Sequence, residues 1–253
     1  MPDIFYLISR WWKQILVTMV LSIGTVSAIV FFLPEKYLSV ATALPTNPAL
    51  ADKTSVFNEN IQIPSPNLGT EAELDIIVGT GQLDTVYLAV AKMFNLWDHY
   101  RTEEKGDPAV YKAMYLLRQN TNVSKSGYGE LKVKVWDTDP NLAPQLANAI
   151  TEQLNLIHQE LQNENNKAIL NKLRSVLEKD SLSAQRQQYE KLAAQYQLIV
   201  DTKPSALVIV ERARPAAWPD KPKRALLITG TAVLSFFFGL LIALVLERRK
   251  KKV

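Results

Sequence analysis

Residues 213–253 read ARPAAWPDKPKR, then ALLITGTAVLSFFFGLLIALVL, then ERRKKKV. The middle run, 225–246, holds 22 residues without a charge. At about 1.5 Å of rise per residue, a helix of that length crosses a hydrocarbon core of about 30 Å. It predicts a transmembrane helix. Directly after it stand Arg248, Arg249, Lys250, Lys251 and Lys252, and positive charge so close to a span end marks the cytoplasmic side. Residues 247–253 are therefore expected as a basic cytoplasmic tail. Ahead of the run, Pro215, Pro219 and Pro222 lack amide donors and push their predecessors toward extended backbone. The chain should enter the membrane as a stiff strap, not as a continued helix.

At the other end, a second apolar run covers residues 15–33, preceded by Arg10, Trp11, Trp12 and Lys13. The paired tryptophans suit the headgroup layer, where the ring is apolar and its N–H stays wet. A cleaved signal peptide is the rival reading, with Ala41-Thr42-Ala43 as a loose cleavage triplet. The run exceeds the usual signal length, and Glu35 and Lys36 intervene, so a retained anchor is expected. Residues 1–14 and the tail are then both cytoplasmic, and 34–224 is extracytoplasmic. Lys221, Lys223 and Arg224 dilute the charge asymmetry at the second span.

Two spans subtracted from 253 residues leave one domain. The net charge of +4 gathers mainly in the tail, so it reads as topology and attraction to membrane lipids, not nucleic-acid binding. With no cysteine, disulfide staples, thiolate metal sites and cysteine nucleophiles are excluded.

Within 34–224 the first strand is expected over Lys36–Leu44, followed by a Pro-, Asn- and Ser-rich loop from Pro45 to Gly69. Glu71, Glu73 and Asp75 load a helix start, and Leu74, Ile77 and Val78 follow at helical spacing until Gly79-Thr80-Gly81 breaks it. Further helices are predicted over Leu83 to about Phe94, and from Asp107-Pro108 to about Asn120, with Tyr111 counted on the apolar face. Leu131–Trp136 alternates as a half-buried strand. Asp139 then caps, and Pro140 opens, a helical tract over about 141–198, in which Leu146, Ile150, Leu154, Ile157 and Leu161 form one stripe. Unbroken, that tract would be roughly 85 Å long, so a bend is expected within Gln162–Asn166 or near Asp180-Ser181. Ala206–Glu211 is the last strand. The fold class is α+β: two transmembrane helices flanking one extracytoplasmic α/β domain with a long helical projection.

Little here points to catalysis. His99 and His158 have no ligand-spaced partners and read as solvated surface histidines. Gly79-Thr80-Gly81 lacks the residues of a phosphate-binding loop, and the carboxylates at 71–75 are explained by the helix start. Asn122-Val123-Ser124 accepts a glycan only in a host that attaches one. Lys132, Lys134, Arg174 and Arg186 are exposed charges that could touch acidic sugars. No catalytic residue, cofactor or metal is expected. In the second span Gly230 and Gly239, with Thr229, Thr231 and Ser235, offer small positions for close helix approach.

The sequence resembles the polysaccharide co-polymerases, the chain-length determinant proteins of bacterial surface polysaccharide synthesis. The matching pieces are Trp11-Trp12-Lys13 before the first span and Leu33-Pro34-Glu35-Lys36-Tyr37 at its exit. In mid-chain they are Asp139-Pro140 with Ala147-Asn148-Ala149-Ile150, and before the second span Ala213-Arg214-Pro215 through Pro222. No single motif is specific; their order and distance from the spans carry the likeness. The segment between the spans is short for the family, and the seven residues after the second span leave no place for the tyrosine kinase module that some members carry there.

The resemblance implies a multi-pass protein of the bacterial inner (plasma) membrane with a periplasmic central domain. It implies a homo-oligomeric ring that regulates, without catalysis, the length of a lipid-linked polysaccharide: O-antigen, capsule or exopolysaccharide. Implied partners are an integral-membrane polymerase and the growing polysaccharide. Two other classes share a periplasmic hairpin, an adaptor of an export machine and a two-span sensor. The first commonly has one span, and the second needs a separate output partner.

Overall fold

The computed structural model describes residues 4–47, 67–179 and 185–250. The chain divides into two compact units, Met1–Tyr37 with Ala217–Val253, and Leu38–Ala216.

The first unit is a pair of apolar helices, α1 (Ile4–Phe32) and α8 (Arg224–Lys250). Both are long and apolar enough to cross a membrane, over Ile8–Phe32 and Arg224–Arg248. The helices thus start earlier or run later than the spans expected at 15–33 and 225–246, because flanking polar residues extend the same backbone hydrogen bonding. Their seam is closed by Trp11, Ile15 and Ala243, with Met19, Leu240 and Leu244 packed against it. Most other large side chains face outward, including Leu21, Phe32, Leu234 and Phe238, as helices solvated by lipid require.

The second unit opens at Leu38, one residue into β1 (Tyr37–Asn47), which is three residues longer than the sequence predicts at its far end. Most of the expected loop, 48–66, lies outside the described residues, and β2 (Asn67–Leu68) pairs antiparallel with the end of β1. Helix α2 (Glu71–Thr80) starts in a capping box: Thr70 Oγ1 accepts from the Glu73 amide, and the Glu73 carboxylate accepts from the Thr70 amide at 2.7 Å. Gly81 ends it. There an added Cβ would come within 2.7 Å of Val123, so only glycine permits the close approach. Helices α3 (Asp84–Met93), α4 (Leu96–His99) and α5 (Asp107–Gln119) follow. Val86, Tyr87 and Val90 of α3 are buried, as are Ala113, Met114 and Leu117 of α5, while Leu83 and Tyr111 are exposed.

Strand β3 (Thr121–Lys125), absent from the sequence reading, pairs antiparallel with β4 (Leu131–Asp137). The expected alternation of β4 is observed: Leu131, Val133 and Val135 are fully buried. Helix α6 (Leu142–Lys179) begins just after Pro140, runs 38 residues, and passes without a break through 162–166, where a bend was one expectation. The alternative bend at Asp180-Ser181 lies outside the described residues. Helix α7 (Arg186–Thr202) runs back along α6: Arg174 donates to Gln197 Oε1 at 2.7 Å, and Gln159 Nε2 to the Lys203 carbonyl at 2.6 Å. The tract is a hairpin, because two polar helices meeting through amide and guanidinium side chains need no continuous apolar stripe. Strand β5 (Leu207–Glu211) then pairs antiparallel with β1. The sheet order is β2-β1-β4-β3, with β5 also on β1. The core lies between this sheet and α2, α3, α5 and the first turns of α6.

Candidate functional site

The sequence-selected residues stand at contacts within the helix pair, at the ends of the spans and along α6. In the helix pair, Trp11 is 8% exposed and Trp12 is 52% exposed. The backbone leaves helical angles at Trp11, whose Nε1 donates to Glu247 Oε2 at 3.0 Å, while Arg10 NH1 reaches Glu247 Oε1 at 3.2 Å. The expectation of two wet indoles is therefore corrected for Trp11: its N–H serves a buried carboxylate. Glu247, read from sequence only as the start of the basic tail, is 3% exposed. A charge so placed is tolerable because it is paired and hydrogen-bonded.

The two glycines of α8 differ. A Cβ on Gly239 would stand 3.0 Å from Thr18 Oγ1 and 3.2 Å from Ile15 Cγ2, so the helices approach there as only a small residue allows. A Cβ added at Gly230 would meet nothing within 4 Å beyond its chain neighbours and its own helix backbone.

At the opposite end of the pair, Pro34 is exposed just beyond α1. Glu35 pairs with Arg224 at 3.0 Å, and the Lys36 amide donates to the Lys221 carbonyl at 2.9 Å. The guanidinium of Arg224 also lies 5.1 Å from the Phe31 ring centre, within cation–π range. Residues 212–223 form no helix, as the proline spacing predicts; Pro215 and Pro219 are exposed, and Pro222 is half-buried. Between them Trp218, which the sequence reading passed over, is 82% exposed.

Tyr37, the last residue of the first unit's opening segment, starts β1 and is half-buried. Asp139 and Pro140 form the turn before α6: Asp139 Oδ1 accepts from the Asn141 amide at 2.8 Å, and its carbonyl accepts from the Ala143 amide. Asn148 exchanges two bonds with one residue, Oδ1 accepting from the Ala213 amide at 2.9 Å and Nδ2 donating to the Ala213 carbonyl at 3.2 Å. About two turns on, Asn155 Oδ1 accepts from the amides of Ala206 and Leu207, both at 3.0 Å. Two asparagines of α6 thus hold main-chain groups at the start of β5 and two residues past its end.

Both histidines depart from the solvated reading. His158 is buried and meets Thr80 Oγ1 at 3.0 Å; the hydroxyl already donates to the Ile76 carbonyl, so His158 Nε2 is the donor. Burial pulls its pKa below the ordinary histidine value. His99 Nε2 donates to Asp137 Oδ1 at 2.8 Å, and Tyr100 donates to Asp137 Oδ2 at 3.0 Å. Burial, and then the neighbouring Asp137 charge, raises the Tyr100 pKa. Asp137 is 2% exposed and also accepts from the Asp139 amide. This knot joins α4 to the turn before α6 through a buried carboxylate that accepts from His99, Tyr100 and the Asp139 amide.

Among the described residues, no three His, Asp or Glu side chains gather as metal ligands do. No family model matches the chain, and no curated protein sequence matches it. Solved structures similar in outline include a full-length bacterial polysaccharide co-polymerase, 12% identical, with 99% of this chain and 98% of that chain covered at a TM-score of 0.45. At that level the likeness is too loose to carry residue roles across.

Proposed function

We propose that this chain is a non-catalytic inner-membrane scaffold that regulates the chain length of a lipid-linked surface polysaccharide made by a separate integral-membrane polymerase. The observation that carries the reading is the pairing of Asn148 with Ala213. It joins two of the segments that resemble the chain-length determinant proteins, Ala147–Ile150 and Ala213–Pro215, across a sequence separation of 65 residues. Segments that resemble one family and also hold each other are a fold-defining set, not scattered matches.

Both termini are cytoplasmic in this reading, on the charge of Arg10 and Lys13 at one end and Arg248 to Lys252 at the other. The domain between is periplasmic, and the exposed Trp218 beside the second span suits the headgroup layer on that side. Homo-oligomers are favoured by the outer faces of the α6–α7 hairpin, where Leu161, Val176 and Leu198 stay exposed. A ring of such hairpins would present one repeated surface to the polymerase and the growing polysaccharide.

Deleting the gene and resolving the surface polysaccharide on a gel tests the function. Loss of a modal length, restored by the intact gene, is expected. An unchanged length distribution would reject it.

A further inference from the structure

A groove of about 420 Å³ runs along the helix pair at the end that carries both chain termini, lined by Lys13, Gln14, Val17, Thr18, Ile242 and Leu246. Its walls are apolar for most of their length, and its mouth carries Lys13 and Gln14. The groove exists because α1 and α8 close together at Gly239 and Thr18, which leaves a furrow beside that contact. Charge at this end is unevenly used. Among the described residues the one carboxylate of the pair's terminal turns, Glu247, is taken by Arg10 and Trp11, and Arg248 is exposed beside it. Lys13 has no carboxylate partner among the described residues; its ammonium stands 5.9 Å from the Trp12 ring centre. An apolar furrow ending in an uncompensated cation and an amide donor matches one occupant in chemistry, an acyl chain whose headgroup bears a negative phosphate.

We infer that this groove binds an anionic phospholipid, one acyl chain lying along Val17, Thr18 and Ile242 and its phosphate at Lys13. The inference rests on the two helices crossing a bilayer and not on the chain-length role, so a negative polysaccharide result would leave it standing. The site would hold a lipid of the leaflet next to the chain termini. Its function is to fill the furrow that the close approach at Gly239 opens, giving the helix pair a defined surface for neighbouring proteins.

The test uses the full chain, extracted in mild detergent, exchanged against vesicles of equal phosphatidylglycerol and phosphatidylcholine, and repurified. Retained lipid is counted by mass spectrometry. The parent is expected to retain phosphatidylglycerol in preference. Lys13→Ala should lower that preference about fivefold, the worth of one basic residue near a membrane surface, and Lys13→Arg should keep it. Val17→Trp, which fills the furrow, should lower retention of both lipids, whereas Leu21→Trp, on an exposed position outside it, should not. Lys13 is exposed, so its variants test the site without threatening the helix pair. Retention unchanged in both Lys13→Ala and Val17→Trp would overturn the inference. So would efficient disulfide formation between copies of a Val17→Cys variant in native membranes, since the chain has no cysteine of its own and that outcome would make a second copy the occupant.

Discussion

Helix α6 is one continuous element held by two kinds of chemistry. Over its first turns Leu146, Ile150 and Leu154 are fully buried against the sheet and the α2–α5 layer. Beyond them the buried residues are Asn155, His158, Asn163 and Asn166 before Leu170 restores an apolar contact, and the main helical partner is the returning α7. The first half is fixed by area removed from water, the second by side-chain amides that reach main-chain groups, as Gln162 Nε2 does to the Thr46 carbonyl at 3.3 Å. Their failures should differ: apolar truncation ought to be costly in the first half, and polar removal cheap or even favourable in the second.

The largest expected effect is in the first half. Leu154→Ala leaves a cavity where relaxation is blocked on all sides and should cost about 3 kcal/mol, read as a lower thermal midpoint of the purified full chain. Next is Asn148→Ala, which strips both hydrogen bonds from Ala213 and leaves its amide to find another partner, a loss of about 2 kcal/mol. A cost below about 0.5 kcal/mol would show that the strand end is held by packing alone.

The second half should answer with the opposite sign. Asn163 is 3% exposed, and neither end of its amide has a hydrogen-bond partner among the described residues. Asn163→Leu, of similar size, should therefore stabilise by about 1 kcal/mol. A loss there would mean that the seam depends on that amide.

The smallest effect concerns His158, where the two halves meet. Its folded pKa is depressed by burial, so the unfolded chain binds the proton more readily, and stability rises with pH. The contribution is present above the ordinary histidine pKa of about 6.5 and is lost as pH falls through the folded value. His158→Gln should flatten that part of the stability profile while leaving the alkaline side little changed.

The same contrast explains what the sequence made legible. The spans, β4 and the first half of α6 announce themselves because burial imposes a period on apolar residues. Strand β3 was missed because Val123 is the only apolar residue in Thr121–Lys125, too little for alternation to register. Which of the two expected bends returns the chain as α7 was not legible, because Gln159 and Arg174 hold the helices together through hydrogen bonds to Lys203 and Gln197, which have no period. Leu161 was placed on the buried stripe and is 59% exposed, since the face that α7 covers is the one bearing Asn163. Of the contact residues, Asn148 was singled out by resemblance, and its bonds to Ala213 give it a physical role. Glu247 and Asp137 were passed over because a buried carboxylate looks like a surface one until its donors Trp11, Arg10, His99 and Tyr100 are brought to it by the fold.

The central claim is that two paired helices carry the 38–216 domain on the far side of a membrane from both chain ends. Because the chain has no cysteine, single cysteines report position without background. Tyr128, 90% exposed in the β3–β4 turn, and Arg248, exposed near the end of α8, are the two positions to replace. With a membrane-impermeant maleimide on intact spheroplasts, Tyr128→Cys should label at once, and Arg248→Cys only after the membrane is permeabilised. Labelling of Arg248→Cys from outside, with Tyr128→Cys protected, would contradict the account.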